Sequence, residues 1–159
     1  MEKIEALTDT ETVYIDYMKP LIILLIVFGV AAIFCAFSVA GNIAMCAMLC
    51  FTALGHFKFH RGMVKMVPAR VPLKSLVVYA SGVAEILLGV GLLFPTVRHA
   101  AAIVLIALLV LMLPANINAA RQHINYETGE SDGAGLKYLW FRVPLQVFFI
   151  GWIVYFSLM

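Results

Sequence analysis

Long apolar stretches separated by short polar segments dominate the sequence, and five of them approach or reach the length needed to cross a bilayer. A spanning helix requires about 20 mainly apolar residues. The predicted spans are residues 21–40, 42–59, 75–94, 100–119 and 138–158. The pattern therefore predicts an all-α, polytopic membrane bundle of five spans, with residues 1–20 as an amino-terminal segment at the membrane surface.

The boundary between the first two predicted spans is the least distinct. Residues 21–59 are almost unbroken in hydrophobicity, and one straight helix of this length would reach about 58 Å, nearly twice the hydrocarbon thickness. We expect a tight turn at Gly41-Asn42, with one kinked helix as the open alternative. A second alternative is a secretory signal that ends at Ser38-Val39-Ala40. The two lysines and five acids that precede it argue against a signal.

Composition supports a membrane protein. Hydrophobic residues make up 64% of the 159 residues and charged residues 13%, whereas the apolar share of soluble domains is roughly 45–50%. Cys35, Cys46 and Cys50 lie in apolar runs without a CxxC spacing, so we interpret them as small packing residues. The sequence has no Walker loop, no GxGxxG and no HExxH motif, so we expect neither nucleotide binding nor a metal site, and no nucleic-acid partner.

Basic residues predict the orientation of the spans. With five spans, ten Lys and Arg residues fall on one side of the membrane and Arg98 alone on the other. If residues 21–59 formed a single span, the two sides would have eight and three. Cytoplasmic segments carry the excess of positive charge. The amino terminus and the loops 60–74 and 120–137 are therefore predicted to be cytoplasmic and the carboxyl terminus to lie outside, in a bacterial inner membrane. Loop 60–74 is expected to lie against lipid headgroups, whereas loop 120–137 is rich in turn residues and is expected to stay in water.

Glu85 is the most informative single residue, because it lies inside a predicted span with no other charge nearby. A carboxylate at that depth costs at least ~2.5 kcal/mol unless it is paired or protonated. Ser81 lies four residues before it, on the same small-residue face, which should point into the bundle. Five further polar residues are predicted in the same half of the membrane: His56, Asn116, Asn118, Arg142 and Gln146.

These residues predict a polar pocket that opens to the cytoplasmic side, with Glu85 at its floor and Arg142 directed toward it. Simpler interpretations stay open for each of them. Glu85 and Arg142 are equally consistent with a purely structural ion pair, and Arg142 with snorkelling to the headgroups. His56 is consistent with an interfacial histidine bonded to the backbone, and its functional interpretation is proton exchange with Glu85 or contact with a ligand headgroup. Asn116 and Asn118 are consistent with helix caps. No second membrane-buried histidine accompanies His56 to bind a haem iron.

Six short motifs resemble the DoxX family of small bacterial membrane proteins. They are GHF at 55–57, MVP at 66–68, VP at 71–72, YASGVAEILLG at 79–89, LPANI at 113–117 and RVPLQ at 142–146. The resemblance covers residues 42–158 and implies a four-helix core, to which residues 21–40 add one amino-terminal transmembrane helix. It also implies an association with redox metabolism, without implying that this chain is catalytic.

The leading functional interpretation is a membrane protein whose pocket binds a small amphiphile such as a quinone, or relays a proton to one. Glu85 would exchange the proton and Arg142 would adjust its proton affinity, while His56, Asn116 and Gln146 supply hydrogen bonds. The expected partners are the lipid bilayer, a redox-enzyme subunit or a second copy of the chain. The alternatives are a carrier or channel for a small polar solute, and a scaffold that recruits a soluble enzyme through its basic loop.

Overall fold

The computed structural model describes the backbone of residues 2–159 and the side chains of residues 18–159. Within that part it is entirely helical, which confirms the predicted fold class. The helices are α1 (Glu2–Phe34), α2 (Phe37–Lys58), α3 (His60–Met66), α4 (Lys74–Gly91), α5 (Arg98–Arg121) and α6 (Leu136–Ile153), followed by a π-helix (Val154–Leu158). Helix α1 begins at Glu2, so residues 2–20 are continuous with the first apolar stretch.

In the part of the chain that the structure describes, four helices are long and apolar enough to cross a membrane. They are α2, α4, α5 and the continuous segment Leu136–Leu158 formed by α6 and the π-helix. The apolar part of α1, Met18–Phe34, is shorter. A multi-pass membrane bundle is therefore supported by length and composition, and the count of five spans stays a prediction.

The chain reverses between α1 and α2 at Cys35 and Ala36, not at Gly41-Asn42 as predicted. The ring centroids of Phe28 and Phe37 lie 5.1 Å apart, whereas nine residues of straight helix would separate them by about 13 Å. This contact also excludes the alternative of a single long helix. Gly41 and Asn42 lie buried inside α2, where they contact the carboxyl-terminal segment.

Helices α2, α4, α5 and α6 form a closed ring in which sequence neighbours run antiparallel. Thr52 of α2 contacts Glu85 of α4, and Gln146 of α6 contacts Leu109 of α5. Helix α1 packs outside this ring, against α2 and α6. The apolar core includes the fully buried Met45, Leu49, Leu92, Leu105 and Ile153 of the ring, and Leu24 of α1 packs against it.

The two ends of the bundle differ. The turn end contains residues 35–36 and 92–97 together with the π-helix. There the Ser157 hydroxyl donates to Asn42 Oδ1 at 2.6 Å, and Trp152 Nε1 donates to the Gly41 carbonyl at 3.0 Å. The Phe156 ring lies so close to Gly41 that a Cβ on that glycine would overlap it. Glycine is therefore required at position 41 for close packing and not for a turn.

The loop end contains α3 and residues 122–135, which pack on each other. Lys65 Nζ donates to the Gly129 carbonyl and Asn118 Nδ2 donates to the Met66 carbonyl, each at 2.8 Å. Gly62 contacts the Tyr126 backbone directly. As predicted, the segment after α5 contains no helix up to α6, yet it covers α3 and is not a separate loop. Seven Lys and Arg residues cluster at this end: Lys58, Arg61, Lys65, Arg70, Lys74, Arg121 and Lys137.

We expect Gly62→Ala to detach the 122–135 segment from α3, because the new Cβ would overlap the Tyr126 carbonyl group. Overpacking of this kind costs about 1–3 kcal/mol. Endoproteinase Glu-C should then cut after Glu127 and Glu130 about tenfold faster than in the parent protein, in proportion to the open population. Gly55→Ala is the control, since its Cβ would meet Met63 at an ordinary 3.5 Å. Equal cleavage rates in both variants would contradict the packing described here.

Candidate functional site

Glu85 lies in the middle of α4 with only 3% of its surface exposed. Its Oε2 is 3.0 Å from Thr52 Oγ1, and its Oε1 is 3.6 Å from His56 Nε2. Thr52 and His56 are four residues apart on α2, and Ser81 and Glu85 are four apart on α4. Each pair therefore shares one helical face, and the two faces meet between antiparallel helices.

Gly82 brings these two helices together. A Cβ at this position would lie 2.8 Å from His56 Cβ, closer than real side chains approach. Small residues at helix crossings allow backbones in membranes to approach in this way. Gly82 thus fixes His56 against α4 at the level of Glu85.

The contacts of His56 determine where its protons lie. Its Nδ1 is 3.0 Å from Ser81 Oγ and 3.2 Å from the Val78 carbonyl oxygen, and Ser81 Oγ is 2.9 Å from the same carbonyl. A carbonyl oxygen only accepts hydrogen bonds. All three groups are satisfied when Ser81 donates to Val78 and His56 Nδ1–H donates to Ser81. The Nε2 atom then faces Glu85 Oε1 at 3.6 Å, slightly beyond hydrogen-bonding distance.

The Thr52 hydroxyl fits Glu85 in either protonation state. It has one hydrogen and two acceptors, the Leu49 carbonyl at 3.0 Å and Glu85 Oε2 at 3.0 Å. When Glu85 is ionised, Thr52 donates to it. When Glu85 carries the proton on Oε2, it can donate to Thr52, which then donates to Leu49. The heavy atoms need not move between these arrangements.

A cavity of about 30 Å³, here called the inner cavity, lies beside Glu85 at the centre of the four-helix ring. This volume is enough for about two water molecules. Four of the predicted site residues lie in its wall: Glu85, Asn116, Arg142 and Gln146. The other lining residues are Thr52 and the apolar Met48, Leu49, Leu109, Met112, Leu145 and Phe149.

Arg142 shares the inner cavity with Glu85 but forms no ion pair with it. Within residues 18–159, His56 is the basic side chain that lies within 4.0 Å of the Glu85 carboxylate. Arg142 is half-buried on α6, on the opposite wall. Of the two basic residues that the sequence placed near Glu85, His56 is therefore the one in direct contact, and Arg142 faces it across the inner cavity.

The remaining predicted residues divide between the cavity and the loop end. Gln146 Nε2 donates to the Leu109 carbonyl at 2.6 Å, and Asn116 Oδ1 accepts from the Tyr138 hydroxyl at 3.3 Å. Asn118 is outside the cavity lining; its amide connects α5 to the end of α3 and accepts a bond from Gln122. Among residues 18–159, no group of three His, Cys, Asp or Glu side chains could hold a metal ion.

Two polar residues at the site were not identified from the sequence. Thr52 could have been found, because it lies four residues before His56 and so occupies the same face of α2. Tyr138 carried no such signal. Its hydroxyl reaches Asn116 because α5 and α6 pack antiparallel and are joined by residues 122–135.

Comparison with known protein families gives a match over most of the chain. The model of a domain of unknown function, DUF8561, matches residues 45–157, which contain α4, α5, α6 and most of α2. No curated protein and no solved structure matches the chain.

Proposed function

We propose that this chain, which belongs to the DUF8561 family, is an inner-membrane protein that takes up and releases a proton at the Glu85–His56 pair inside the bilayer. The proton serves a redox reaction of a membrane-dissolved amphiphile such as a quinone. The observation that carries the proposal is the 3.6 Å approach of His56 Nε2 to Glu85 Oε1, while His56 Nδ1 is held by Ser81. Direct proton transfer requires about 2.6–3.2 Å between heavy atoms, so the two side chains must approach by a few tenths of an ångström when the proton passes.

The surroundings of the pair support a relay more than a structural bond. A structural ion pair is served by partners that favour a single charge state. The Thr52 hydroxyl instead can donate to Glu85 or accept from it as the proton moves. The adjoining inner cavity has room for water, which connects buried carboxyl groups to proton donors.

A path for a solute through the whole bilayer has less support. Toward the turn end, the level beyond Glu85 is occupied by Leu49, Leu92 and Leu105, each at most 1% exposed, and by Ile153. The scaffold alternative is also less favoured, because one side of α3 is covered by the chain's own segment 122–135. An inner cavity closed toward the turn end favours local exchange of a proton.

The inner cavity is smaller than a binding site for a quinone headgroup. Sites for drug-sized ligands measure roughly 300 Å³ or more, so a quinone headgroup needs side chains to move before it reaches Glu85. Met48 and Met112 line the cavity, and their unbranched side chains adapt readily to an incoming group. Arg142 and Gln146 would then offer hydrogen bonds to a quinone carbonyl. The resemblance to the DoxX family, itself still a prediction, is consistent with this redox role.

The orientation of the chain is part of the proposal. The loop end, with its cluster of Lys and Arg, faces the cytoplasm, and Arg98 lies at the opposite end. Positive residues are retained on the cytoplasmic side of bacterial inner membranes. The proton of Glu85 therefore comes from the cytoplasmic side in this scheme.

The proposal is tested with Glu85→Gln, which keeps the shape of the side chain but cannot bind a proton. Infrared difference spectra between acid and alkaline buffers should show the carbonyl stretch of a protonated carboxyl group in the parent protein. We expect that band to disappear in Glu85→Gln and to persist in the control Glu127→Gln, which changes an exposed glutamate of the loop end. The proposal fails if both variants give the parent spectrum.

The amphiphile is tested with the same pair of variants in vesicles that contain a short-chain quinone. Glu85→Gln should weaken the binding of the reduced quinone by about tenfold or more, because one charge-assisted hydrogen bond is worth about 1.5–3 kcal/mol. Glu127→Gln should bind like the parent. Equal affinity in all three proteins would remove the quinone from the proposal and leave the proton site to be judged by the infrared result.

A further inference from the structure

A second cavity, here called the outer cavity, lies at the loop end. It measures about 10 Å³, enough for about one water molecule. Helix α3, the end of α5 and the covering segment 122–135 enclose it. Its lining residues are Met66, Ala119, Ala120, Ile124, Tyr126, Ala134, Gly135 and Tyr138.

One hydrogen-bonded pair joins the walls of the two cavities. Tyr138 lines the outer cavity, and its hydroxyl donates to Oδ1 of Asn116 at 3.3 Å. Asn116 is buried and lines the inner cavity beside Glu85. A polar contact thus connects the two cavities, although an apolar side chain at either position would avoid the free-energy cost of burying polar groups.

We infer that the two cavities form one entry route for protons from the loop end to Glu85, and that Tyr138 is its gate. The inference rests on the proposed function, because it describes how the proton reaches the Glu85–His56 pair. The gate has two parts with separate effects. The Tyr138 ring closes the route to bulk water, and its hydroxyl passes single protons when it turns away from Asn116.

The proton step balances without any further reagent. Water in the outer cavity protonates the Tyr138 oxygen, while Tyr138 releases its own hydrogen to water in the inner cavity. That water passes one proton to the Glu85 carboxylate. Tyr138 ends neutral, and the outer-cavity water is left as hydroxide until it takes a proton from the loop-end solvent. The Asn116 amide holds the hydroxyl between these events and is unchanged by them.

The direction of entry follows from what surrounds Glu85. Toward the turn end the bundle is filled by apolar side chains. Toward the loop end the cover is a segment of turns held to α3 by a few contacts, among them the bond from Lys65 to Gly129. Short turn segments open more readily than packed helices. Water therefore reaches the outer cavity from the loop end.

The test measures how fast the Glu85 carboxyl group exchanges its proton for deuterium when membranes are switched from H₂O to D₂O buffer. The band is assigned with Glu85→Gln, and its shift is followed in time by infrared spectroscopy. Tyr138→Phe keeps the ring and removes the hydroxyl, so exchange should slow by about tenfold or more, equal to about 1.4 kcal/mol in barrier height. Tyr138→Ala removes the ring, so exchange should accelerate by a similar factor. Tyr155→Phe, at the exposed turn end, should exchange like the parent.

Changes of opposite sign in the two Tyr138 variants are the expected result, and a general loosening of the bundle cannot produce them. Two outcomes would overturn the inference: exchange at the parent rate in Tyr138→Phe, or changes of the same sign in Tyr138→Phe and Tyr138→Ala. In both cases an acid–alkaline spectrum that still contains the Glu85 band would leave the proposed function standing. Absence of that band from the parent protein would overturn the proposed function and the gate together.

Discussion

His56→Leu should destabilise the protein by about 3–5 kcal/mol, the usual cost of removing one partner from a buried charged pair. His56 is 6% exposed and is the basic neighbour of Glu85. Its loss leaves the Glu85 carboxyl group in an apolar bundle without its basic neighbour, and it also removes the donor to Ser81. The free energy of unfolding, measured by titration with sodium dodecyl sulfate in mixed micelles, should fall by this amount.

The double variant His56→Leu with Glu85→Leu provides the decisive comparison. Replacing both members of a buried pair by apolar residues is often neutral or stabilising, so the double variant should recover most of the lost stability. His60→Leu is the matched control, because His60 stacks on Tyr79 at the loop end and lies only partly buried. If the single and double variants unfolded at the same detergent fraction, the electrostatic coupling of His56 to Glu85 would be refuted.

Gly41→Ala should give the second large effect, a loss of about 1–3 kcal/mol from overpacking. The new methyl group would overlap the Phe156 ring, and that ring has little freedom to retreat. Its centroid lies 4.7 Å from that of Trp152 and 5.4 Å from that of Phe28. Thermal unfolding in detergent, followed by circular dichroism, should show a lower transition temperature.

Gly29→Ala is the control for this substitution. Its Cβ would meet nothing within 4 Å, so the higher helix propensity of alanine should leave stability unchanged or raised by up to about 1 kcal/mol. Adding Phe156→Leu to Gly41→Ala should restore part of the loss, since the smaller side chain vacates the overlapping volume. An undiminished transition temperature in Gly41→Ala would show that the turn end repacks at little cost.

Features set by neighbouring residues could be predicted from the sequence, whereas contacts between residues far apart in the chain could not. The apolar stretches that became α2, α4, α5 and α6 were predicted because hydrophobicity and length are properties of neighbouring residues. The turn was misplaced because Gly41 and Asn42 have the composition of turn residues. Their real partners lie more than 100 residues away, at Phe156 and Ser157. A single sequence does not distinguish a glycine required for close packing from a glycine in a turn.

The site shows the same limit. Counting residues along each helix predicted that Glu85, Asn116, Arg142 and Gln146 lie in the same half of the membrane. In the structure all four line the inner cavity. Choosing the partner of Glu85 required the rotation of each helix about its axis. Close packing at Gly82 turns His56 toward Glu85 and leaves Arg142 across the inner cavity. Charge alone had favoured Arg142.

The single hydrogen on the Thr52 hydroxyl allows the hydrogen bonding at the site to change without movement of a helix. This hydroxyl lies between two groups that can accept its hydrogen, the Leu49 carbonyl and Glu85 Oε2. Reversing its direction requires rotation about one carbon–oxygen bond, a motion far faster than the microseconds or longer that helices need to rearrange. The helices can therefore keep their positions while Glu85 gains or loses a proton. A densely packed interior is thus compatible with proton exchange at its centre.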